Sequence, residues 1–260
     1  MAMAWPMPMV AANPTVAQGC FGKVYKEIYN GQWAAVKKVP CNRVQLEDLQ
    51  REAKVYKKAV HPNIVRILGP ITIQDFKYVI PLEFIFGEDL ETALFKPQQS
   101  KMRLTRDMIK TIIRGMCEGL LYMHSKDIVH QDLKPDNIMV EEGTYRAVII
   151  DMGLAKFFRN GLNSATDMGN LEYSAPEVLT WGVQRSQSSD VWAMGKIIAE
   201  MRSGVRYPRE HVNPRTVSTS IRGSVYCNVV CKMVRKNPAD RASMAQVIRE
   251  IRQVEKPTPI

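Results

Sequence analysis

Along the first third of the chain, apolar residues come in short runs with the alternation of half-buried strands: KVYKEIY at 23–29, WAAVKKV at 33–39, IVRILG at 64–69 and KYVIPLEF at 77–84. Between the first two, Asn30-Gly31 is a dipeptide that accepts the positive φ of a two-residue turn, so these runs are expected to form a hairpin. One helix interrupts the strands, because Leu46, Leu49, Ala53 and Tyr56 recur at helical spacing across 45–59. The pattern changes once, near residues 87–104. Beyond it helical spacing takes over, with Ile109, Ile112, Met116 and Leu120 in one segment, Val191, Met194, Ile198 and Met201 in a second, and Met244, Val247, Ile248 and Ile251 in a third. The expected fold class is therefore α+β, a small β-rich lobe joined to a larger α-helical lobe, and a cleft between lobes is a preferred place for a ligand. One residue resists the pattern. Pro81 lies in a run expected to be internal to the sheet, where it deletes a ladder donor.

Composition excludes few classes. A chain of 260 residues, 45% hydrophobic and 24% charged, buries a sizeable core and is not disordered. The opening MAMAWPMPMVAA has no basic flank and is broken by prolines, so it reads as a frayed lead-in rather than a signal peptide or membrane span. Five cysteines without CxxC spacing, Cys20, Cys41, Cys117, Cys227 and Cys231, point to reduced thiols and a cytoplasmic protein. The net charge of +10 favours polyanionic partners, but the basic residues are scattered and not interleaved with aromatics, which argues against nucleic acid.

The chemistry is concentrated where polar residues sit beside buried-looking runs. VHQDLKPDNIMV at 129–140 and VIIDMGLAK at 148–156 bring Asp132, Lys134, Asn137 and Asp151 together in sequence. AQGCFGKV at 17–24 places Gly19 and Gly22 between two strand-like runs, where backbone N–H groups approach an anion without hindrance; an ordinary hairpin would use the same glycines. Lys37 falls inside AAVKKV, and an ammonium there needs an anionic partner; Glu52, beside the apolar stripe of the following helix, is available. Asp132 and Asn137 could also merely tie down a loop through bonds to backbone.

Taken in order, the glycine loop, AAVK, the helix glutamate, HQD, DMG, SAPE at 174–177 and DVW at 190–192 resemble the eukaryotic protein kinases from about residue 16 to 252. The resemblance implies a lead-in over 1–15, an N-lobe over 16–86, a C-lobe over 87–252 and a tail or linker start over 253–260. It implies ATP and Mg²⁺ as cofactors, with Lys37 on the α and β phosphates and held by Glu52. Asp151 and Asn137 would be metal ligands, Asp132 would take or orient the proton of a substrate hydroxyl, and Lys134 would face the transferred phosphate. Gly19 and Gly22 would cover the phosphates. Val24, Ala35 and Met139 would wall the adenine, Leu82 would be the gatekeeper, and Glu83, Phe84 and Ile85 would join the lobes and bond the adenine edge. His130 is expected to be a buried structural histidine among Tyr56, Ile67 and Met152. Glu177 with Arg241, and Asp190 beneath the catalytic loop, take structural roles. The spacer in DLKPDN is similar to the serine/threonine type, and GKVYKEIYNGQWAAVKK resembles the tyrosine-kinase-like group, in its receptor-interacting or mixed-lineage branches.

Several positions depart from that pattern. Gln131 replaces the usual arginine, removing a cation that pairs with a phosphorylated loop at Ser164 or Thr166. Ala17 replaces a glycine, Met152 a phenylalanine with less freedom, and Asn170 a threonine, which puts substrate positioning in question. The span from Glu200 to Arg241 is short for the family, so the helix there is expected to be reduced. The leading reading is a serine/threonine protein kinase of non-RD type acting on a protein substrate in signalling, with a regulatory protein or self-association as further partners and no membrane span. The alternative is a pseudokinase-like nucleotide-binding scaffold or switch; a third reading, a kinase fold acting on a small molecule or lipid, rests on the charge alone.

Overall fold

The computed structural model describes residues 15–18, 22–153, 155–157, 170–180 and 184–255. The ends of the chain, Gly19, Ser164 and Thr166 lie outside the described residues. By its internal contacts the chain divides into two units, residues 1–45 with 67–84, and residues 46–66 with 85–260.

The first unit is an antiparallel sheet of five strands, β1 (Thr15–Gln18), β2 (Lys23–Tyr29), β3 (Gln32–Pro40), β4 (Thr72–Gln74) and β5 (Lys77–Glu83), ordered β1-β2-β3-β5-β4. The β2–β3 hairpin turns on Asn30 and Gly31, at φ 48° and 78°, the left-handed pair that a two-residue turn with the right strand twist requires. Ala34, Val36 and Val79 form the buried core on one face, with Tyr29 and Leu68 packed against it. IVRILG is not a strand. It contributes two isolated bridges, Ile64 with Ile149 in the second unit and Ile67 with Leu82 in the first, because Asn63 and Val65 are held by Ile149 rather than by a continuous ladder.

Pro81 is accommodated by register. Its carbonyl accepts the Leu68 N–H at 2.8 Å, so both its backbone positions point away from β3, toward the side where β4 has already ended opposite Val79. In an antiparallel pair such outward positions alternate with bonded ones, so no β3–β5 bond is lost.

The second unit is mainly helical: α1 (Leu46–Lys58), α2 (Leu90–Phe95), α3 (Arg106–Ser125), α4 (Gln187–Ser203), α5 (Pro214–Ser220), α6 (Cys227–Met233) and α7 (Met244–Val254). It also holds the sheet of β6 (Gly87–Asp89), β8 (Ile138–Glu141) and β9 (Ala147–Ile149), and the pair of β7 (Ile128–Val129) with β10 (Lys156–Phe157). The long helices start at side-chain caps, Thr105 for α3, Ser186 for α4 and Ser243 for α7, each accepting a first-turn N–H. α4 stops at Gly204, whose φ of 69° is left-handed. Between Glu200 and Arg241 the structure has two α-helices of seven residues each.

Residues 61–65 hold α1's chain to this unit. Asn63 Nδ2 donates to Ala147 O at 2.7 Å, Ile149 N donates to Asn63 O, and Val65 N to Ile149 O. Gly115 and Gly119 on α3 make the seat: a Cβ on either would lie 2.6 or 2.8 Å from Asn63. The four described cysteines are free thiols, and burial pushes Cys117 well above the usual thiol range. No helix among the described residues is long and apolar enough to cross a membrane.

Candidate active site

In the first unit, strand register collects the residues expected around a nucleotide. Val24 pairs with Lys37 and Lys26 with Ala35 across β2–β3, while Ala35 pairs with Leu82 and Lys37 with Ile80 across β3–β5. Cross-strand partners share a face, so Val24, Ala35, Lys37 and Leu82 lie on one face, opposite the Ala34–Val36–Val79 core. Lys37 and Leu82 are buried, Val24 and Ala35 half-buried. Gly22 stands at the start of β2, where a Cβ would meet Lys38 O at 2.4 Å. A hydrogen is all that fits there. Its requirement is thus set by backbone packing, whatever it contributes to a phosphate. Glu83 ends β5, half-buried, and Ile85 is buried.

In the second unit, the loop from β7 to β8 builds a small polar constellation. Asp132 Oδ1 accepts the Asn170 N–H at 3.0 Å, its Oδ2 accepts Asn137 Nδ2 at 3.0 Å, and Lys134 Nζ stands 3.6 Å from Oδ2. Asn137 Nδ2 also donates to Asp132 O at 2.8 Å, and Ile150 N donates to Asn137 O. With the amide nitrogen occupied twice by Asp132, the atom Asn137 has to offer a cation is Oδ1. Asp151 sits at φ 58° with Oδ1 accepting from Gly153 N at 3.2 Å. A carboxylate and an amide oxygen are hard donors suited to Mg²⁺, which needs few protein ligands when phosphates complete its shell. Among the described residues no three His, Cys, Asp or Glu side chains converge as a cage. Met139 points off the buried side of β8, whose Ile138 and Val140 face the core.

The loop itself is held from below. Asp190, near the start of α4, is buried and accepts three hydrogen bonds: His130 N at 2.8 Å and His124 Nε2 at 3.0 Å on Oδ2, and Gln131 N at 2.9 Å on Oδ1. Gln131 has φ 71°, a conformation costly for a residue with a Cβ, and the two backbone bonds to Asp190 keep it there. His130 is fully buried; with Nε2–H donating to Ile150 O at 3.1 Å, its Nδ1 accepts Asp132 N–H at 3.3 Å, which fixes one tautomer. Glu52 is buried on α1 and accepts the Tyr56 hydroxyl at 3.3 Å, and Met152 N donates to that hydroxyl at 3.4 Å. Glu177 and Arg241 form the expected bidentate pair at 2.7 and 3.0 Å.

Three features were not legible beforehand. Arg185 donates to Gln131 O and to Ser174 Oγ, both at 2.9 Å, and so joins the loop holding Asp132 to the segment before Glu177. No feature of its sequence context marks it. The Asn170 side chain accepts Glu172 N at 2.8 Å as a cap, so only its main chain reaches Asp132, and the threonine replacement leaves that contact intact. Lys196 is fully buried in α4, a lysine whose place in the apolar run WAMGKIIAEM was the available signal.

Comparison with known proteins gives the family. A protein kinase domain model matches residues 11–252, and the chain belongs to that family. It is 28% identical to serine/threonine-protein kinase ppk25 of Schizosaccharomyces pombe, covering 90% of this chain and 58% of that protein. It is 28% identical to an SNF-related serine/threonine-protein kinase of Rattus norvegicus over 90% of this chain and 33% of that protein. A G-type lectin S-receptor-like serine/threonine-protein kinase of Arabidopsis thaliana is 35% identical over 75% of this chain and 24% of its own length. The chain therefore spans between about a quarter and three fifths of these relatives.

Proposed function

We propose that this chain is an active ATP-dependent serine/threonine protein kinase of non-RD type, with the N-lobe over 16–86 and the C-lobe over 87–252. The observation that carries the reading is the state of Asp132: both carboxylate oxygens are oriented by fixed donors, Asn170 N and Asn137 Nδ2, with the Lys134 ammonium 3.6 Å away. That is an acceptor aimed by its surroundings, beside a cation where phosphoryl charge would be transferred. In this reading a serine or threonine hydroxyl of a protein substrate attacks the ATP γ-phosphorus. The new O–P bond forms as the bond to the β-phosphate oxygen breaks, ADP leaves, and Asp132 receives the hydroxyl proton. Lys134 neutralises the phosphoryl group in flight. Lys37 holds the α and β phosphates in this reading. Gly19, Gly22, Val24, Ala35, Leu82, Glu83, Ile85 and Met139 bind the nucleotide. Asn137 and Asp151 would hold Mg²⁺, which neutralises the phosphate charge when bound.

With Gln131 in place of an arginine, no cation at that position pairs with a phosphorylated loop. Control then falls to a regulatory protein or to self-association acting on the helix that carries Glu52, in a cytoplasmic signalling role. The test is phosphate transfer from radiolabelled ATP with Mg²⁺ to the chain itself and to a generic basic protein, comparing wild type with Asp132→Asn and Asp151→Asn. The expected result is transfer by the wild type and a loss of about 10²–10⁴-fold in Asp132→Asn. Nucleotide binding without transfer in the wild type would overturn the reading in favour of a nucleotide-binding scaffold; transfer to a small alcohol but to no protein would overturn the substrate class.

A further inference from the structure

α4 is buried nearly all round, from Ser189 to Met201, and three of its buried residues are ionisable: Asp190, which holds the loop above it, and the pair Lys196 and Glu200. Lys196 and Glu200, one turn apart, both have fully buried side chains, with Lys196 Nζ 3.7 Å from Glu200 Oε1. Beyond the pair, each makes further polar contacts. Lys196 Nζ donates to Glu172 O at 2.7 Å, stands 3.9 Å from the exposed Glu172 carboxylate, and lies 4.2 Å from the centre of the Tyr173 ring. Glu200 Oε2 accepts the Tyr173 hydroxyl at 2.7 Å, and its Oε1 accepts Tyr207 N at 3.0 Å. Arg206, the other cation acting on this cluster, is bound to Glu91.

Stability alone gives no reason for this pair. Burial lowers the Lys196 ammonium from its ordinary value and raises the Glu200 carboxyl, so each is held against a desolvation cost. Apolar residues of similar volume at two such positions are often as stable or more so. What apolar residues lack is a donor for the Glu172 carbonyl and an acceptor for the Tyr173 hydroxyl and the Tyr207 N–H, and the first two of these belong to consecutive residues, Glu172 and Tyr173. Those two follow Asn170, whose N–H orients Asp132, and precede Ser174, whose hydroxyl donates to Asn170 O and accepts from Arg185.

We propose that Lys196 and Glu200 are positioning residues for phosphoryl transfer to protein substrates, acting through Glu172 and Tyr173 to fix residues 170–174 and so the donor that aims Asp132. The proposal rests on the kinase reading for its catalytic consequence, but the fixing of residues 170–174 is testable without it.

The experiment compares the wild-type chain with Lys196→Met, the double variant Lys196→Met/Glu200→Leu, and Tyr173→Phe, which removes only the hydroxyl. Thermal melting, backbone amide exchange of 170–175, and steady-state transfer with the KM for ATP and for a generic basic protein measured separately are the readouts. The single Lys196→Met variant is expected to melt lower, since it leaves a buried carboxylate without its cation. The double variant is expected to melt above Lys196→Met but still below wild type, because the buried charge is gone while the Glu172 carbonyl, the Tyr173 hydroxyl and the Tyr207 N–H lose their partners. Its amides at 170–175 should exchange at least tenfold faster, and its kcat/KM for protein should fall at least tenfold with the KM for ATP changed less than twofold. Tyr173→Phe should shift exchange and kcat/KM the same way by a smaller factor. Wild-type exchange and kcat/KM in the double variant would overturn the proposal. Should the double variant not fold, unchanged exchange in Tyr173→Phe would overturn it equally. A wild-type chain that transfers no phosphate would instead sink the kinase reading, with amide exchange still deciding what Lys196 and Glu200 hold.

Discussion

Replacing Asp190 with alanine should destabilise the second unit and disable the loop that carries Asp132. The buried carboxylate accepts two backbone N–H groups, from His130 and Gln131, and one imidazole, from His124. Removing it orphans two buried backbone donors, each worth about 1–3 kcal/mol of desolvation, and about 1 kcal/mol for the imidazole contact brings the sum to about 3–7 kcal/mol. For a domain of this size each kcal/mol lowers Tm by about 2–4 °C, so a fall of roughly 6–28 °C is expected. Asp190→Asn should cost less, because one oxygen remains and only one donor is turned against an amide. The bonds to Asp190 are also what hold Gln131 at φ 71°, so phosphate transfer should fall more than tenfold even at temperatures where the variant is folded. Thermal melts by circular dichroism, paired with transfer assays well below the variant's Tm, check both statements. A melt within about 2 °C of wild type for Asp190→Ala would refute the reasoning, since the three bonds would then carry almost no free energy.

Other outcomes follow from single contacts. Pro81→Ala should lower stability by only about 0.4–1 kcal/mol, through the unfolded chain, because no β3–β5 bond involves that nitrogen; Ile80→Pro, one residue earlier, should cost about 1–3 kcal/mol for the orphaned Lys37 carbonyl alone, and denaturant titration compares the two. Arg185→Ala should lower kcat for a protein substrate roughly ten- to hundredfold by freeing Gln131 O and Ser174 from each other, while the KM for ATP holds; an unchanged kcat would show the bridge to be idle. Hydrogen bonds from Arg146 hold the Glu141 carboxyl below the usual carboxylate range. A folded value below the unfolded one stabilises the protein above about pH 4.3, and the gain disappears as pH falls through the lower folded value. Glu141→Gln should therefore melt about 1–4 °C lower than wild type at pH 7, a gap that closes as pH falls below about 4.

What was legible in the sequence is what depends on short-range order. The periodicity of Ile109 to Leu120, Val191 to Met201 and Met244 to Ile251 located α3, α4 and α7, since a helix that buries one stripe must repeat at its own pitch. Asn30-Gly31 located the first hairpin, because few dipeptides tolerate two left-handed residues. The spacing of Asp132, Lys134 and Asn137 within one loop likewise placed them together, as neighbours in sequence have little freedom to part.

Tertiary structure decided the rest. IVRILG has a strand's composition, yet Asn63 docking on Ala147 and Ile149 draws its start into the second unit, a partner some eighty residues away that periodicity cannot see. Pro81 became intelligible only once Leu68 was found on its carbonyl, because sequence states that a donor is missing and register alone says whether one was needed. Gly22 reads as a phosphate-loop glycine, but the approach of Lys38 O already excludes any side chain there. Lys196 and Arg185 acquire meaning from the backbone carbonyls they reach, and a carbonyl carries no letter in the sequence. Which side chains are present was thus determined by sequence, while the backbone groups they answer to were chosen by packing over long separations.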